Sequence, residues 1–326
     1  EFATFVAFFP QLVAGPIVRY KDIQYQLRNR SHSVKNISTG FKRFTFGLSK
    51  KVIVANSIAF YADEIFALNE VYLNTPLAWL GAFCYALQIY FDFSGYSDMA
   101  IGLGEIFGFH FPENFNYPYM AKSIQDFWRR WHISLSSWFR DYLYIPLGGS
   151  RFGPAKTYRN LFIVFVLCGF WHGASWTFII WGLYHGFFLV VERALKGSRI
   201  KTLPSFMKHT YTVFVFIVGW VIFRAETLEK LKLFLVKMFI PYWENMDLLN
   251  RVLSQPKFIF AAIAGVIFSV PTMPMMRKVI AKYVSKHELD WRITLVGKIT
   301  IYGFFFIICC ISLIGDDYNP FIYFRF

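Results

Sequence analysis

A succession of long apolar runs constrains this chain more than any other feature: Val52–Leu68, Leu77–Phe109, Asn160–Val191, Tyr211–Phe223, Phe258–Met276 and Ile293–Ile314. A bilayer's hydrocarbon core is about 30 Å thick and takes about 20 helical residues to cross. Runs of this length read as membrane segments, and in lipid they must satisfy their own backbone hydrogen bonds, which favours helices. Composition agrees, with 56% of the 326 residues hydrophobic and only 17% charged, and a mean hydropathy of +0.40, too apolar for an ordinary soluble domain. The expected fold is all-α, a polytopic membrane protein with a single transmembrane domain over residues 1–326. Run lengths near both extremes imply tilted, broken or re-entrant helices and leave the number of spans open.

A net charge of +14 raises nucleic acid as a partner, and the placement of the charges removes it. Between Arg19 and Lys51 lie Lys21, Arg28, Arg30, Lys35, Lys42, Arg43 and Lys50 against the single acid Asp22, which marks a cytoplasmic loop under the positive-inside rule. The connection from Asp63 to Pro76 carries Asp63, Glu64 and Glu70 with no Lys or Arg, so it belongs on the opposite side. From His110 to Arg159 the chain turns basic again. The alternation accounts for the charge as topology. Basic residues also follow the Asn160–Val191 run, at Arg193, Lys196, Arg199, Lys201 and Lys208. Either that run is a hairpin that turns near Gly169 or Gly173, or the charge rule fails at one of its ends. Thr227–Lys237 has the pattern of an amphipathic surface helix, or equally of a connecting helix.

Within Asn160–Val191 stands His172, in the phrase Gly169-Phe170-Trp171-His172-Gly173-Ala174. A side chain that titrates near neutrality is costly in a membrane segment and marks a proton-handling site by default. The alternative is a histidine hydrogen-bonded between packed helices. Gly104 and Gly108, Gly169 and Gly173, and Gly182 and Gly186 are each four residues apart, a spacing that lets helices approach closely. Cys168 lies one turn before His172, where the histidine could activate a thiolate. The cysteines have no metal-ligand or disulfide spacing and read as buried apolar residues. The Gly102–Gly108 phrase misses the dinucleotide pattern by one residue and follows no strand.

Two further clusters place polar groups among apolar ones. In Gln88–Asp98 the residues Gln88, Asp92 and Tyr96 recur every four positions, as do Ser94 and Asp98. That density argues for a polar network or aqueous cavity lined by Asp92, Ser94 and Asp98, or for aspartates that cap a helix break or pair with arginines. In Asp126–Asp141, arginines and tryptophans alternate around His132, a composition suited to an interfacial or re-entrant helix.

Four phrases, Phe8–Arg19, Tyr90–Asp98, Phe127–Ser136 and Gly169–Gly173, occur in the order seen in the membrane-bound O-acyltransferases. The chain resembles that family from end to end, and most resembles its alginate O-acetyltransferase branch. The phrase Ala14-Gly15-Pro16-Ile17-Val18-Arg19 looks more like the acetyltransferases than their D-alanyl relatives.

The resemblance implies a helical bundle around a funnel or tunnel, with re-entrant and interfacial helices, in a bacterial inner membrane. It implies that His172 is catalytic, acting as general base, and that His132, a second catalytic position nearer the cytoplasmic mouth, positions the donor or stabilises the developing oxyanion. Acetyl-CoA is the implied donor substrate, with no bound cofactor and no metal, and an exopolysaccharide hydroxyl the implied acceptor. On charge and location, Arg129, Arg130 and Arg140 are candidates for the coenzyme A phosphates. A periplasmic acetyltransferase and the polysaccharide export machinery are the implied partners, beside membrane lipid. In the family, Phe8-Phe9-Pro10 follows several helices, so an N-terminal part is expected beyond this sequence, whereas Asn319–Phe326 looks like a family terminus. The rival readings are D-alanyl or other acyl transfer, a proton-coupled transporter using Asp92, Asp98 and His172, and a scaffold for polymer export.

Overall fold

The computed structural model describes residues 1–12, 15–195, 203–287 and 290–315. Val13, Ala14 and the Asn319–Phe326 terminus lie outside them, as do Lys196, Arg199 and Lys201. Among the described residues every regular element is helical. The N-terminal part carries α1 (Phe2–Val6), α2 (Tyr20–Arg28), α3 (Val34–Ser49), α4 (Asn56–Ala67) and α5 (Thr75–Ile106). Two short helices follow, α6 (Ile124–Arg130) and α7 (Ile133–Phe139), then the longer α8 (Gly153–His172), α9 (Trp176–Ala194) and α10 (Ser205–Arg224). The C-terminal part holds α11 (Leu228–Phe239), α12 (Asp247–Leu253), α13 (Pro256–Ser269), α14 (Thr272–Lys286) and α15 (Trp291–Gly315).

By length and composition, Ser205–Arg224 and Arg292–Gly315 are each able to cross a membrane. The pair Asp247–Leu253 and Pro256–Ser269 qualifies together but is bent by 69°, a break placed where Pro256 lacks an amide hydrogen. The other apolar runs also become helices. Leu77–Phe109 falls largely within the 32-residue α5, about 48 Å at 1.5 Å per residue and therefore longer than a bilayer core. Gln88, Asp92, Asp98 and Glu105 interrupt its hydrophobicity.

The chain groups into two compact units. One comprises the described residues of 1–57, 89–114 and 260–315; the other comprises those of 58–88 and 115–259.

In the first unit α3 crosses the second half of α5 backbone to backbone. Gly40 and Gly47 on α3 are seven residues apart, two helical turns on one face, and oppose Gly102 and Gly95 on α5. A Cβ at Gly95 would lie 2.7 Å from the Gly47 carbonyl oxygen, and one at Gly102 would lie 2.6 Å from that of Gly40. The absent side chains let the helices meet. α15 packs on α3, where Phe41 and Phe306 have ring centroids 5.4 Å apart. Gly104 and Gly108 do not form the helix interface their spacing suggested. A Cβ at Gly104 would meet the ring of Phe111, and Gly108 (φ +79°) makes the left-handed turn that ends the helix.

The second unit is built on an antiparallel hairpin of α8 and α9. Gly169 faces Phe178 and Gly182, and Gly182 faces the Phe165 carbonyl, so the glycine spacing here does serve helix packing. Residues 173–175 make the turn, and the hydroxyl of Ser175 accepts from the Thr177 amide to open α9. The long run is thus a hairpin that breaks after His172. α10 lies on α9, with the Tyr184 hydroxyl donating to the Val215 carbonyl at 3.0 Å.

Helix α11 is a connecting helix. Thr227 caps it, Leu231 and Phe234 are buried, and the Phe234 ring stacks on Phe66 at 4.2 Å. The acidic C-terminal half of α4 and the residue after it meet bases from later in the chain. Arg224 pairs with Asp63 at 3.0 Å, Arg251 pairs with Glu64 at 2.5 Å, and Lys230 Nζ donates to the Leu68 carbonyl at 2.8 Å.

Candidate active site

His132 sits at the junction of α6 and α7, two seven-residue helices too short to cross a bilayer. Its backbone is left-handed, φ 45° and ψ 56°, a conformation that costs a non-glycine residue about 1 kcal/mol or more and recurs at functional sites. The junction is held from both sides. Glu192 on α9 accepts the amides of Ile124 and Gln125 at 2.6 and 3.0 Å, satisfying the N-terminus of α6. Trp131, next to the histidine, lies 5.7 Å from the Phe127 ring and 4.7 Å from Trp220.

The His132 side chain is 4% exposed, and its Nδ1 lies 3.4 Å from the Ser134 hydroxyl. Burial, and secondly the neighbouring His172, push its imidazole down from 6.5 to about 3. His132 is therefore neutral near pH 7, and a charge on His172 is felt at its ring. The structure thus brings together two histidines that are 40 positions apart in sequence.

His172 ends α8, half-buried, beside the turn into α9. Its ring centroid lies 5.3 Å from Trp181 of α9 and 5.0 Å from Phe223 of α10, both edge-on. Among the described residues neither ring nitrogen has a hydrogen-bond partner and no acidic group acts on it. The alternative of a histidine tied by hydrogen bonds between helices is not what the structure contains.

The remaining candidates separate. Arg129 is exposed and forms no ion pair or hydrogen bond among the described residues. Arg140 is exposed and pairs with its neighbour Asp141 at 2.7 Å. Arg130 is engaged internally, with Asp126 at 2.9 Å and the Asn116 carbonyl at 3.4 Å, which argues for a structural role over a phosphate contact.

In the first unit, Asp92 is 2% exposed and pairs with Lys51 at 2.6 Å. Asp98 pairs with Lys50 at 2.6 Å and with Arg43 at 3.0 Å, and Arg43 also binds Glu113. Ser94 is buried with its hydroxyl unpartnered. Of the two readings of this cluster, the ion pairs favour the one in which the aspartates pair with basic residues, here two lysines and an arginine. Cys168 is buried on α8.

Three residues of the site carried no sequence-based assignment. Trp181 and Phe223 are ordinary members of a chain that is 21% aromatic. His185, 1% exposed, touches Trp181 and Trp128 at 5.2 and 5.0 Å. A Cβ at Gly219 would lie 2.5 Å from its Nε2, so the glycine makes its place. The cost argument that singles out His172 applies equally to His185, which shares its apolar run.

Membrane-length helices and two neighbouring histidines set among aromatic rings define a helical membrane protein with a candidate site in its second unit. A family model for the membrane-bound O-acyltransferases matches residues 1–231. The chain belongs to that family.

Among curated relatives, the probable alginate O-acetylase AlgI of Pseudomonas putida is 44% identical over 339 aligned residues, covering 100% of this chain and 69% of its own length. The probable alginate O-acetylase AlgI of Pseudomonas aeruginosa is 53% identical, covering 70% of this chain and 44% of its own. The peptidoglycan O-acetyltransferase of Helicobacter pylori is 48% identical, again over 70% and 44%. The chain thus spans about two thirds of the first relative and less than half of the other two.

Proposed function

We propose that this chain is the catalytic part of a bacterial inner-membrane O-acetyltransferase. It moves acetyl from cytoplasmic acetyl-CoA toward a hydroxyl of an alginate-like exopolysaccharide, directly or through a periplasmic acetyltransferase of the export machinery. The observation that carries this reading is the pairing of His172, whose ring nitrogens are unengaged, with buried neutral His132. The names of the relatives support an acetyl group and a polymeric acceptor.

In the proposed reaction, neutral His172 removes the acceptor hydroxyl proton as that oxygen attacks the thioester carbonyl. With the Ser134 hydroxyl donating to His132 Nδ1, the His132 Nε2 carries a proton and donates to the developing oxyanion. Collapse of the tetrahedral intermediate breaks the carbon–sulfur bond. The leaving thiolate takes the proton from His172, so the products are the acetyl ester and free coenzyme A, and the base is restored. Exposed Arg129 and Arg140 serve the donor's phosphates. The transporter reading requires Asp92 and Asp98 as relay groups, and both are ion-paired.

The test uses full-length protein in membranes with labelled acetyl-CoA and acceptor. His172→Ala is expected to reduce transfer by about 10²- to 10⁴-fold, the range for a general base, while Cys168→Ser stays near wild type. Loss of transfer in the cysteine variant with retention in the histidine variant would replace the general-base route with a covalent one.

A further inference from the structure

A histidine that acts as a general base is commonly oriented by a carboxylate, which also stabilises the imidazolium formed in the transition state. Among the described residues His172 has no such group. Its three nearest ring neighbours outside its own helix are aromatic: Trp181 at 5.3 Å, Phe223 at 5.0 Å and Phe178 at 6.2 Å. Trp181 and Phe223 also touch each other at 5.2 Å, so the three rings of His172, Trp181 and Phe223 form a closed triangle. The two aromatic members are 1% and 4% exposed.

Trp181 carries a further sign. A buried indole N–H ordinarily finds an acceptor, yet the Trp181 Nε1 has no hydrogen-bond partner among the described residues. Phenylalanine would fill much of the same space without a stranded donor. What the indole adds is the strongest π quadrupole of the natural side chains, which attracts a cation lying over the ring face within about 6 Å of its centroid. The rings of Trp181 and Phe223 stand at 87° and 86° to His172, the T-shaped geometry in which one ring's edge meets another's face. Trp181 and Phe223 both lie inside that distance of the His172 ring.

We propose that Trp181 and Phe223 are positioning residues that take the place of the carboxylate. They fix the plane of the His172 ring through edge-on contacts, and they stabilise its positive charge as it accepts the acceptor's proton. Neutral His172 gains little from the rings and the imidazolium gains much, so the pair favours the transition state over the ground state. The arrangement leaves both imidazole nitrogens open, one toward the acceptor and then the leaving thiolate. It rests on the general-base reading of His172.

Steady-state kinetics of the full-length enzyme test the idea. Trp181→Leu and Phe223→Leu remove the rings, and each is expected to lower kcat about tenfold with the KM for acetyl-CoA unchanged. Trp181→Phe and Phe223→Tyr keep a ring and are expected to stay within about threefold of wild type. Site-specific incorporation of mono-, di- and trifluorotryptophan at position 181 changes the π charge with almost no change of shape, and so separates charge stabilisation from folding. A stepwise fall in kcat along that series is the expected result. Unchanged kcat along the series overturns the proposal, as does Trp181→Phe falling as far as Trp181→Leu. Retained transfer in His172→Ala would instead remove the general-base reading itself, which the aromatic variants do not probe.

Discussion

Gly169 lies against the carbonyl oxygen of Phe178, so close that a methyl group on the glycine would collide with the facing backbone. Phe178 in turn lies beside His172. The same contact therefore closes the α8–α9 hairpin and sets the depth of the candidate base. Gly169→Ala is expected to force the helices apart and to destabilise the protein by about 1–3 kcal/mol, the usual cost of overpacking. The fall in thermal midpoint in detergent checks the magnitude, and transfer activity should fall with it.

The Lys51–Asp92 pair is nearly sealed, with side chains 14% and 3% exposed. Removing one partner of a buried pair strands the other charge and costs about 3–5 kcal/mol, whereas replacing both with apolar groups is often close to neutral. Lys51→Met should lower the unfolding midpoint sharply, and the double variant Lys51→Met, Asp92→Leu should recover most of it. A double-mutant cycle on thermal or denaturant unfolding measures the coupling.

His132 makes stability depend on pH. Its ordinary value is 6.5 and its value in the fold is about 3, so between these limits the unfolded chain binds a proton that the folded chain excludes. Stability is then complete above about pH 6.5 and declines as pH falls toward 3, by up to about 1.4 kcal/mol per pH unit from this group. Unfolding midpoints from pH 7 down to pH 5 should show a shallower slope for His132→Gln than for wild type.

Arg129 and Arg130 are adjacent in sequence and are expected to behave differently. Loss of a charge-assisted contact to a donor phosphate costs about 1.5–3 kcal/mol. Arg129→Gln should therefore raise the KM for acetyl-CoA by about tenfold or more, with unfolding unchanged. Arg130→Gln removes a half-exposed pair with Asp126 and should cost at most about 1 kcal/mol of stability, leaving KM near wild type. Salt titration of the KM should flatten only for Arg129→Gln, because a phosphate contact is screened.

The helical class was legible from the apolar runs because lipid leaves the backbone few alternatives. His172 and His132 stood out for a related reason, as polar groups set among apolar and aromatic ones. His185 satisfies the same criterion but stands in no distinctive phrase. Glycine spacing was a partial guide. Gly169 and Gly182 do pack helices, but the Gly40–Gly47 and Gly95–Gly102 crossing depends on a seven-residue spacing, and the four-residue pair at Gly104 and Gly108 straddles a helix end.

Sequence alone determined that this chain forms apolar helices, that the Asn160–Val191 run carries a costly histidine, and that four ordered phrases resemble one acyltransferase family. Those properties are local: composition, periodicity and order along the chain. Tertiary structure decided that His132 and His172 share a neighbourhood, that Asp92 and Asp98 are neutralised by Lys51, Lys50 and Arg43, and that Trp181 and Phe223 close around the candidate base. Each of these depends on which helix faces meet, and a contact between distant residues is fixed by close packing that no single segment encodes.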